Sequence, residues 1–265
     1  MIIIMSTSGI RLVDTLAAEG YTHVGADEVR RRLGISAQAT SNLLARLARD
    51  GLVERVRRGS YLLRPLGELG VAAVASDRLA EAIVLAVGDR DHRVCFRTAL
   101  HEHGLLTRGG QRVQVAVTRR LFVDEMGGRQ LESIIEKPAT VHVGAQPHDI
   151  AMISTVERAL LESAGAPRRV GGISVVAEAL AAAELKPSVV GELSFALGLD
   201  AALRRLVSLD RQLQIGKLDG IALSARSTRP LRLDPTDERD DGPVDTVAGV
   251  RWPGPVEELS EVVRR

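Results

Sequence analysis

The short segment from Leu33 to Ser36, "LGIS", most constrains how this chain can fold. It lies between two stretches with helical spacing of apolar residues, about 27–33 and about 37–49. Gly34 is placed to take the left-handed conformation that ends a helix, after which Ile35 can turn back onto the core. Ser36 is placed to cap the next helix. The segment therefore predicts two helices joined by a tight turn.

The residues before this turn predict one more helix. Ile10, Val13 and Leu16 recur at helical spacing, and Gly20 ends the segment. In the second helix, Val29 and Leu33 stand at i and i+4, so we expect both to be buried. In the third helix, the apolar positions Ala37, Thr40, Leu44 and Leu47 share one face, with Leu43 beside them.

A β-hairpin is predicted directly after the third helix. Its first strand starts at Leu52, a tight turn covers residues 57–60, and the return strand runs from Tyr61 to Leu63. Helix, helix–turn–helix and hairpin, in this order, are the plan of a winged helix-turn-helix. Pro65, Gly67 and Gly70 then break the periodicity. We predict an α+β protein with a winged helix-turn-helix domain at 1–69 and a larger domain at 70–265.

Positive charge is concentrated in the predicted winged helix. Nine arginines and three acids lie between Glu28 and Arg64, which gives 9 − 3 = +6. The whole chain carries only +1, so the rest sums to −5. Charge localised in this way indicates a polyanionic partner. A solvated charged face, or a winged helix that docks onto protein, is the alternative interpretation.

The third helix also carries a polar face that suits the major groove. Gln38, Asn42, Arg46 and Arg49 lie opposite its apolar face. Glutamine and asparagine can bond the edge of adenine, and arginine can bond O6 and N7 of guanine. Arginines on the hairpin and the second helix suit phosphates or a narrow minor groove. The predicted DNA-binding residues are Gln38, Asn42, Arg46, Arg49, Arg30, Arg31, Arg55, Arg57 and Arg58.

The larger remainder is predicted to be mixed α/β to about residue 154 and mainly helical after it. Alternating valines predict strands at 112–120 and around Val141 and Val143, and "DIAMIS" is a third candidate. Ser154 is placed to cap the next helix, with Glu157 completing a capping box. The acidic segment 234–245 holds two prolines and is expected to be a solvated loop or tail.

Catalytic chemistry has little support in this sequence. His101 and His103 stand two apart on a predicted helix and so point to different faces, which is poor metal-ligand geometry. Cys95 has no His/Asn constellation and is expected to be buried. Glu132 and Glu136 are expected to share a helix face. We predict no catalytic residue, no metal site, no cofactor and no enzymatic activity.

The cysteine content and the hydropathy indicate a cytoplasmic protein. A lone cysteine excludes an internal disulfide framework and fits a reducing compartment. No stretch approaches the ~20 apolar residues that a membrane span needs, so no membrane partner is expected. Translation starts at Met1 or at Met5.

The two parts together resemble the AbiEi antitoxins of type IV toxin–antitoxin systems. The winged part is "ADEVRRRLGISAQATSNLLARLARDGLVERVRRGSYLL". Beyond it, "TALHEHGL" is similar to the family's short helix ending in His-Gly-Leu, and "VQVAVTRR" to its following strand. "STVERALLESAG" resembles a helix opened by a Glu-Arg pair, and "GGISVVAEAL" a glycine-led helix. "DAALRRL" and "RPLRLDP" resemble the late helix and closing strand, so the likeness covers most of residues 20–235.

This resemblance implies two functions. The winged helix would bind inverted repeats in promoter DNA and repress its own operon. The second domain would counter a nucleotidyltransferase toxin, by contact or through the toxin's target. The weak candidates for a toxin-facing surface are Arg119, Arg120, Glu157 and Arg158. The arginine-rich composition is similar to that of the mycobacterial MenA branch. The rival hypothesis is a one-component repressor whose second domain binds a small ligand.

Overall fold

The computed structural model describes residues 7–64, 79–88, 90–121, 125–126, 129–149, 151–223, 229–239, 241–257 and 259. The chain divides into two compact units, one of residues 1–90 with 121–131 and one of residues 91–120 with 132–265. The domain boundary that we predicted between residues 69 and 70 lies outside the described residues. It stays a prediction. The helix that follows it, at 79–87, belongs to the first unit.

The described elements are helices and strands in short runs, with four consecutive helices between residues 156 and 212. The helices are α1 (Thr7–Ala18), α2 (Ala26–Leu33), α3 (Ala37–Arg49), α4 (Leu79–Val87), α5 (Phe96–Glu102), α6 (Pro138–Val141), α7 (Val156–Gly165), α8 (Ile173–Ala182), α9 (Pro187–Leu197) and α10 (Asp200–Gln212). The strands are β1 (His23–Gly25), β2 (Val53–Arg57), β3 (Ser60–Leu63), β4 (His92–Val94), β5 (Arg112–Val117), β6 (Glu125–Met126), β7 (Arg129–Ile135), β8 (Ala145–His148), β9 (Ala151–Ser154), β10 (Leu231–Arg232), β11 (Val244–Asp245) and β12 (Val250–Arg251). None of the helices in the described ranges has the length and apolarity to span a bilayer.

The first unit contains the winged helix-turn-helix that the sequence predicts. Helices α1, α2 and α3 pack with a three-stranded antiparallel sheet in the order β1-β3-β2. Its core is aliphatic and includes Val13, Leu16, Val29, Leu44 and Leu47, each at most 1% exposed. Strand β1, which pairs with β3, is too short for the alternation of apolar and polar residues to reveal it in the sequence.

The turn between α2 and α3 forms as predicted. Gly34 has φ +62° and its N–H donates to the carbonyl of Arg30 at 3.0 Å, which closes α2. The Ser36 side chain accepts from the N–H of Ala39 at 3.2 Å and caps α3. Leu33 was predicted to be buried and is 43% exposed. It is the last residue of α2, so the chain turns away before its side chain can reach the core.

The second unit contains a mixed β-sheet and a group of helices. Strands β7, β5, β4, β9 and β8 stand side by side in that order. Strand β4 is parallel to β9 and antiparallel to β5, so antiparallel and parallel pairing meet at β4. Helix α7 packs against α5, α8, α9 and α10.

The C-terminal part of this unit adds a small sheet in the order β10-β12-β11. Trp252 is 2% exposed, and its indole N–H donates to Ser208 Oγ on α10 at 2.9 Å. The Asp245 carboxylate, 6% exposed, accepts from the N–H groups of Val247 and Ala248. Strand β11, Val244–Asp245, lies at the end of the acidic segment 234–245, which we expected to be a loop or tail throughout.

Three local predictions for the second unit are wrong. Val141 ends the short helix α6 and Val143 follows it in a turn, where we expected a strand. Glu132 lies on strand β7, so it shares no helix face with Glu136. The cap of α7 is Thr155, whose side chain accepts from the N–H of Arg158 at 3.4 Å, rather than Ser154. Pro138 favours the start of a helix at α6, where we expected a strand. Ser154 is buried, so Thr155 caps α7 in its place.

Candidate nucleic-acid interface

Helix α3 presents the predicted polar face to solvent. Gln38, Asn42, Arg46 and Arg49 are all exposed. On the opposite face Thr40, Leu44 and Leu47 are buried at 2%, 1% and 1% exposure. Gln38 Nε2 donates to Asn42 Oδ1 at 3.1 Å, so these two amides lie on adjacent turns and orient each other. Helix α3 can therefore enter a groove without loss of its core contacts.

Two further positions on this face were missed in the sequence. Ser41 and Ala45 are exposed between the predicted contacts. Ser41 carries only a short hydroxyl and Ala45 has no polar side-chain group, so neither was predicted as a contact to a base or a phosphate. The same helical spacing that gives Gln38, Asn42 and Arg49 would have included them. Small side chains at these positions let the helix backbone approach a groove closely.

The hairpin between β2 and β3 carries three exposed arginines, Arg55, Arg57 and Arg58. Arg57 Nε donates to Ser60 Oγ at 3.2 Å, and its guanidinium lies against Gly88 at the end of α4. Gly59 has φ +81°, which permits the tight turn at the tip. Arg57 is therefore held by its own unit, whereas Arg55 and Arg58 are directed to solvent.

The arginines of α2 are largely neutralised by neighbouring acids. Arg30 pairs with Asp27 at 3.2 Å, and Arg31 pairs with Glu28. Arg32 contacts both Glu28 and Glu19, at 2.7 and 2.6 Å, and lies 4.9 Å from the centre of the Tyr21 ring.

These contacts also change the acid–base chemistry of α2. The hydrogen bond from Arg32 lowers the pKa of Glu28, and the hydrogen bonds from Glu28 and Glu19 raise the pKa of Arg32. Both groups therefore stay charged over the physiological range. The run Arg30 to Arg32 contributes less free positive charge than its sequence indicates.

Four arginines differ from those of α2. Arg46, Arg49, Arg55 and Arg58 make no ion pair with a carboxylate in the part of the chain that the structure describes. All four are exposed, two on α3 and two on the hairpin. A guanidinium with free donors matches phosphate oxygens and the edge of guanine. These four residues are the centre of the candidate interface.

A cleft of about 510 Å³ lies between α2, α3 and the hairpin. Arg30, Arg55 and Arg58 line it together with the carboxylate of Asp27. The cleft brings one arginine of α2 next to two of the hairpin, so three of the predicted contact residues share one concave surface.

The residues predicted to face a toxin are separated by burial. Arg119 and Arg120 follow β5 and are exposed. Glu157 is half-buried, and its Oε1 accepts from the N–H of Lys186 at 3.4 Å. Arg158 is 1% exposed, which corrects our expectation of a surface position. Its guanidinium lies too deep in the folded unit to contact a partner protein.

Arg158 belongs to a buried network of two arginines and two glutamates. Arg93, fully buried, bonds Glu136 Oε2 at 2.6 Å and Glu162 Oε1 at 2.8 Å. Arg158 bonds Glu162 Oε1 at 2.9 Å and also contacts Glu136. Both guanidiniums donate to backbone carbonyls as well, Arg93 to Val141 and Arg158 to Thr140 and Val143. The network is neutral in sum.

Cys95 lies close to this network and is fully buried. Burial and the nearby Glu162 carboxylate raise the pKa of its thiol well above the ordinary value. A protonated, inaccessible thiol is a poor nucleophile.

The fold and surface of the first unit define a winged helix DNA-binding domain of the kind found in transcriptional regulators. Residues 10–60 match the model of the MarR family. The match covers most of α1, all of β1, α2 and α3, and most of the hairpin, so this segment is similar to the winged helix of the MarR family.

The whole chain is similar in fold to the RV2827C protein from Mycobacterium tuberculosis, which is known from a crystal structure. The TM-score is 0.71 at 16% sequence identity, over 98% of this chain and 96% of that chain. At this identity the likeness concerns the fold alone. No curated protein matches the sequence.

Proposed function

We propose that this protein is the antitoxin of a type IV toxin–antitoxin system and that it represses its own operon by binding promoter DNA. One observation carries the DNA-binding part: Arg46, Arg49, Arg55 and Arg58 are exposed without a carboxylate partner in the described residues of a MarR-family winged helix. Helix α3 reads base edges, and the hairpin contacts the phosphate backbone.

The contacts divide by chemistry. Gln38, Asn42 and Arg46 bond base edges, while Arg49, Arg55 and Arg58 contact phosphates. Arg30 and Arg31 reach phosphates only by giving up ion pairs with Asp27 and Glu28, so they contribute less. Two copies of the chain bind the two halves of an inverted repeat.

The antitoxin part is supported by the order of the AbiEi-like segments and by their packing. "TALHEHGL" forms most of α5 and the turn after it, and "STVERALLESAG" forms α7. Helix α5 packs on α7, and His103 Nε2 lies 2.6 Å from the carbonyl oxygen of Ser154. These segments therefore build one core, as expected if they are the framework of one domain. A place in the MenA branch is part of the proposal.

The proposed antitoxin activity is not enzymatic. The second unit counters a nucleotidyltransferase toxin, either by contact or through the toxin's target, and uses no cofactor. For direct contact, the exposed pair Arg119 and Arg120 and the half-buried Glu157 are the candidate surface.

Co-expression tests the antitoxin part. The nucleotidyltransferase encoded next to this protein is induced in cells that also contain the full chain, its Arg55→Ala/Arg58→Ala variant, or neither. We expect both forms of the chain to lift the growth arrest, and only the unchanged chain to repress a reporter under the operon's promoter. Growth arrest that persists with folded protein present would refute the antitoxin activity and leave DNA binding intact.

A ligand-responsive repressor is the second candidate, and two cavities favour it. One is the 510 Å³ cleft beside α3, and the other, of about 620 Å³, is lined by α10 and the loop at 214–223. Both lie in the size range of small-molecule sites. A panel of metabolites that raises the Tm and releases promoter DNA would support this candidate. The antitoxin hypothesis predicts no such linked effect.

A further inference from the structure

The second unit carries a group of arginines that the proposed function does not use. They lie on α5, on the loop before β5, at the start of β5, and on the 3₁₀ turn before α8. The group, named here the Arg97 cluster, consists of Arg97, Arg108, Arg112, Arg168 and Arg169.

Arg97 joins the two loops of this cluster. Its NH2 donates to the carbonyl of Arg108 at 3.2 Å, and its NH1 contacts the carbonyl of Val170. Its Nε is buried without a hydrogen-bond partner in the described residues. Because all of these contacts are to backbone, no carboxylate among the described residues neutralises Arg97. The guanidinium holds the loops at 108–110 and 167–172 together.

The fit around Arg97 is close. A side-chain carbon at Gly110 would lie 3.0 Å from Arg97 Cδ, and one at Gly171, where φ is +106°, would lie 3.1 Å from Arg97 NH1. Phe96, the residue before Arg97, has φ +50°, a strained conformation for a bulky side chain. Strained backbone persists where the surrounding structure fixes it, which is frequent at binding sites.

The other side of the cluster is organised by Glu132 on β7. Arg169 NH1 contacts its carboxylate, and Arg112 NH1 lies 3.9 Å from Glu132 Oε2. Gln114, 1% exposed, donates to Glu132 at 3.0 Å and to the carbonyl of Arg169 at 3.0 Å. The guanidinium of Arg169 also stands 5.5 Å from the Phe96 ring centre.

The charge of the cluster is strongly positive. Within the described ranges, the five arginines and the bonded carboxylate of Glu132 sum to 5 − 1 = +4. Arg108 and Arg168 are exposed and have no ion pair with any residue that the structure describes. By contrast, the second unit as a whole has 22 basic and 22 acidic residues and is neutral. The rest of the unit, with 17 basic and 21 acidic residues, therefore sums to −4, opposite in sign to the cluster.

We propose that the Arg97 cluster is a second DNA contact of this protein, which binds the phosphate backbone of duplex DNA without sequence preference. Guanidiniums match phosphate oxygens in geometry and charge. The side chains lie open to solvent, at 64% exposure for Arg112 and 41% for Arg169. A small anion can contact few of these guanidiniums at once, whereas a polymer with repeated phosphates can contact several. The inference rests on DNA binding by the winged helix but not on the antitoxin activity.

The test uses full-length protein and the slope of log affinity against log salt concentration. The variants are Arg108→Ala/Arg168→Ala in the cluster, Arg55→Ala/Arg58→Ala in the hairpin, and Lys137→Ala/Arg211→Ala as a charge-matched control. Lys137 and Arg211 are exposed residues of the second unit outside the cluster. Each protein is titrated with a promoter duplex and with an unrelated duplex of equal length.

Loss of two phosphate contacts lowers the magnitude of the slope by about 0.9 × 2, or about 1.8. We expect this loss for the cluster variant on both duplexes, with an unchanged Tm and an unchanged ratio of promoter to unrelated affinity. The control is expected to keep the slope of the unchanged protein.

An unchanged slope in the cluster variant would overturn the proposal. So would a slope that falls equally in the control, since that reports overall charge alone. A thermal shift with inorganic phosphate that the cluster variant loses, together with an unchanged DNA slope, would assign the cluster to free anions and reject DNA. If the cluster variant loses slope while the hairpin variant and the control both keep theirs, the assignment of Arg55 and Arg58 to phosphates fails and the cluster assignment stands.

Discussion

Arginine has opposite roles on the surface of the winged helix and in the core of the second unit. In the winged helix, Arg46, Arg49, Arg55 and Arg58 are exposed and have no carboxylate partner among the described residues. In the core of the second unit, Arg93 and Arg158 are at most 1% exposed and bond two glutamates and several backbone carbonyls. The residue type is the same, but only the first group has donors available for another molecule.

The difference shows that arginine content alone does not identify a binding surface. A buried guanidinium is tolerated only when each donor has an acceptor, so its charge is satisfied within the fold. An exposed guanidinium is hydrated, so the lack of a partner has little effect on the stability of the fold. A cluster of exposed guanidiniums therefore contributes little to folding. The arginines of α2 are intermediate between these two groups. Arg30 and Arg31 are exposed, but each forms an ion pair, with Asp27 and Glu28 respectively.

The largest expected effect comes from breaking the buried network. Arg158→Met leaves Glu136 and Glu162 with one arginine in place of two. Loss of one partner of a buried pair costs about 3–5 kcal/mol, so we expect the free energy of unfolding of the second unit to fall by that amount. The free energy of unfolding is measured by titration with denaturant. The fraction unfolded is read from the alkylation of Cys95, which is buried in the folded unit. As the control, Arg46→Met changes an exposed residue, and a comparable loss there would erase the distinction between the two groups.

The second effect separates paired from unpaired arginines within the winged helix. Arg55→Ala/Arg58→Ala is expected to lower the magnitude of the salt slope for promoter DNA by about 1.8, because two phosphate contacts are lost. Arg30→Ala/Arg31→Ala removes the same charge from ion-paired positions and is expected to lower it by less than half as much. Equal slopes for the two variants would show that pairing with Asp27 and Glu28 does not limit DNA contact.

The third effect concerns sequence preference. Gln38→Ala or Asn42→Ala is expected to reduce the preference for promoter over unrelated DNA by about 1–3 kcal/mol, the value of a good bidentate base contact. The salt slope is expected to stay the same, because neither side chain is charged. Competition titration with both duplexes measures the preference, and Ser41→Ala is the matched variant. A lower slope with an unchanged preference would assign these amides to the backbone.

The smallest effect tests the turn that organises the recognition helix. Ser36→Ala removes the side-chain acceptor for the N–H of Ala39 and is expected to cost about 1 kcal/mol of stability in the first unit. Ser36→Gly is expected to cost only a few tenths of that, because glycine also caps helices well. Thermal unfolding of the two variants compares them, and identical losses would mean that the cap contributes nothing specific.

Local signals predicted the winged helix and the exposure of the polar face of α3. Gly34 and Ser36 fix the ends of α2 and α3, and the spacing of apolar residues in α3 places Gln38 and Asn42 on the opposite face. Such features depend on residues within a few turns of each other, which a single sequence displays. Leu33 shows the limit, since burial at the end of a short helix depends on where the next segment packs.

Long-range pairing could not be predicted in the same way. Arg93 finds Glu136 and Glu162 from 43 and 69 residues away, and only the folded sheet brings them together. For this reason we expected Arg158 at the surface. In the sequence its evident partner was the adjacent Glu157, whereas in the folded unit it bonds Glu136 and Glu162. Glu132 was placed on a helix for a similar reason, because two carboxylates four residues apart fit a helix and a strand region equally well.

The central claim is that α3 and the hairpin form one surface that lies along duplex DNA. It is tested most directly by attaching an iron chelate that cleaves DNA to Ser41→Cys on α3 and, separately, to Arg58→Cys on the hairpin. Buried Cys95 does not compete for the label. We predict cleavage from both positions within one half-site, at most about one helical turn of 10 base pairs apart. Cleavage from one position only, or at unrelated sites from the two positions, would contradict the claim.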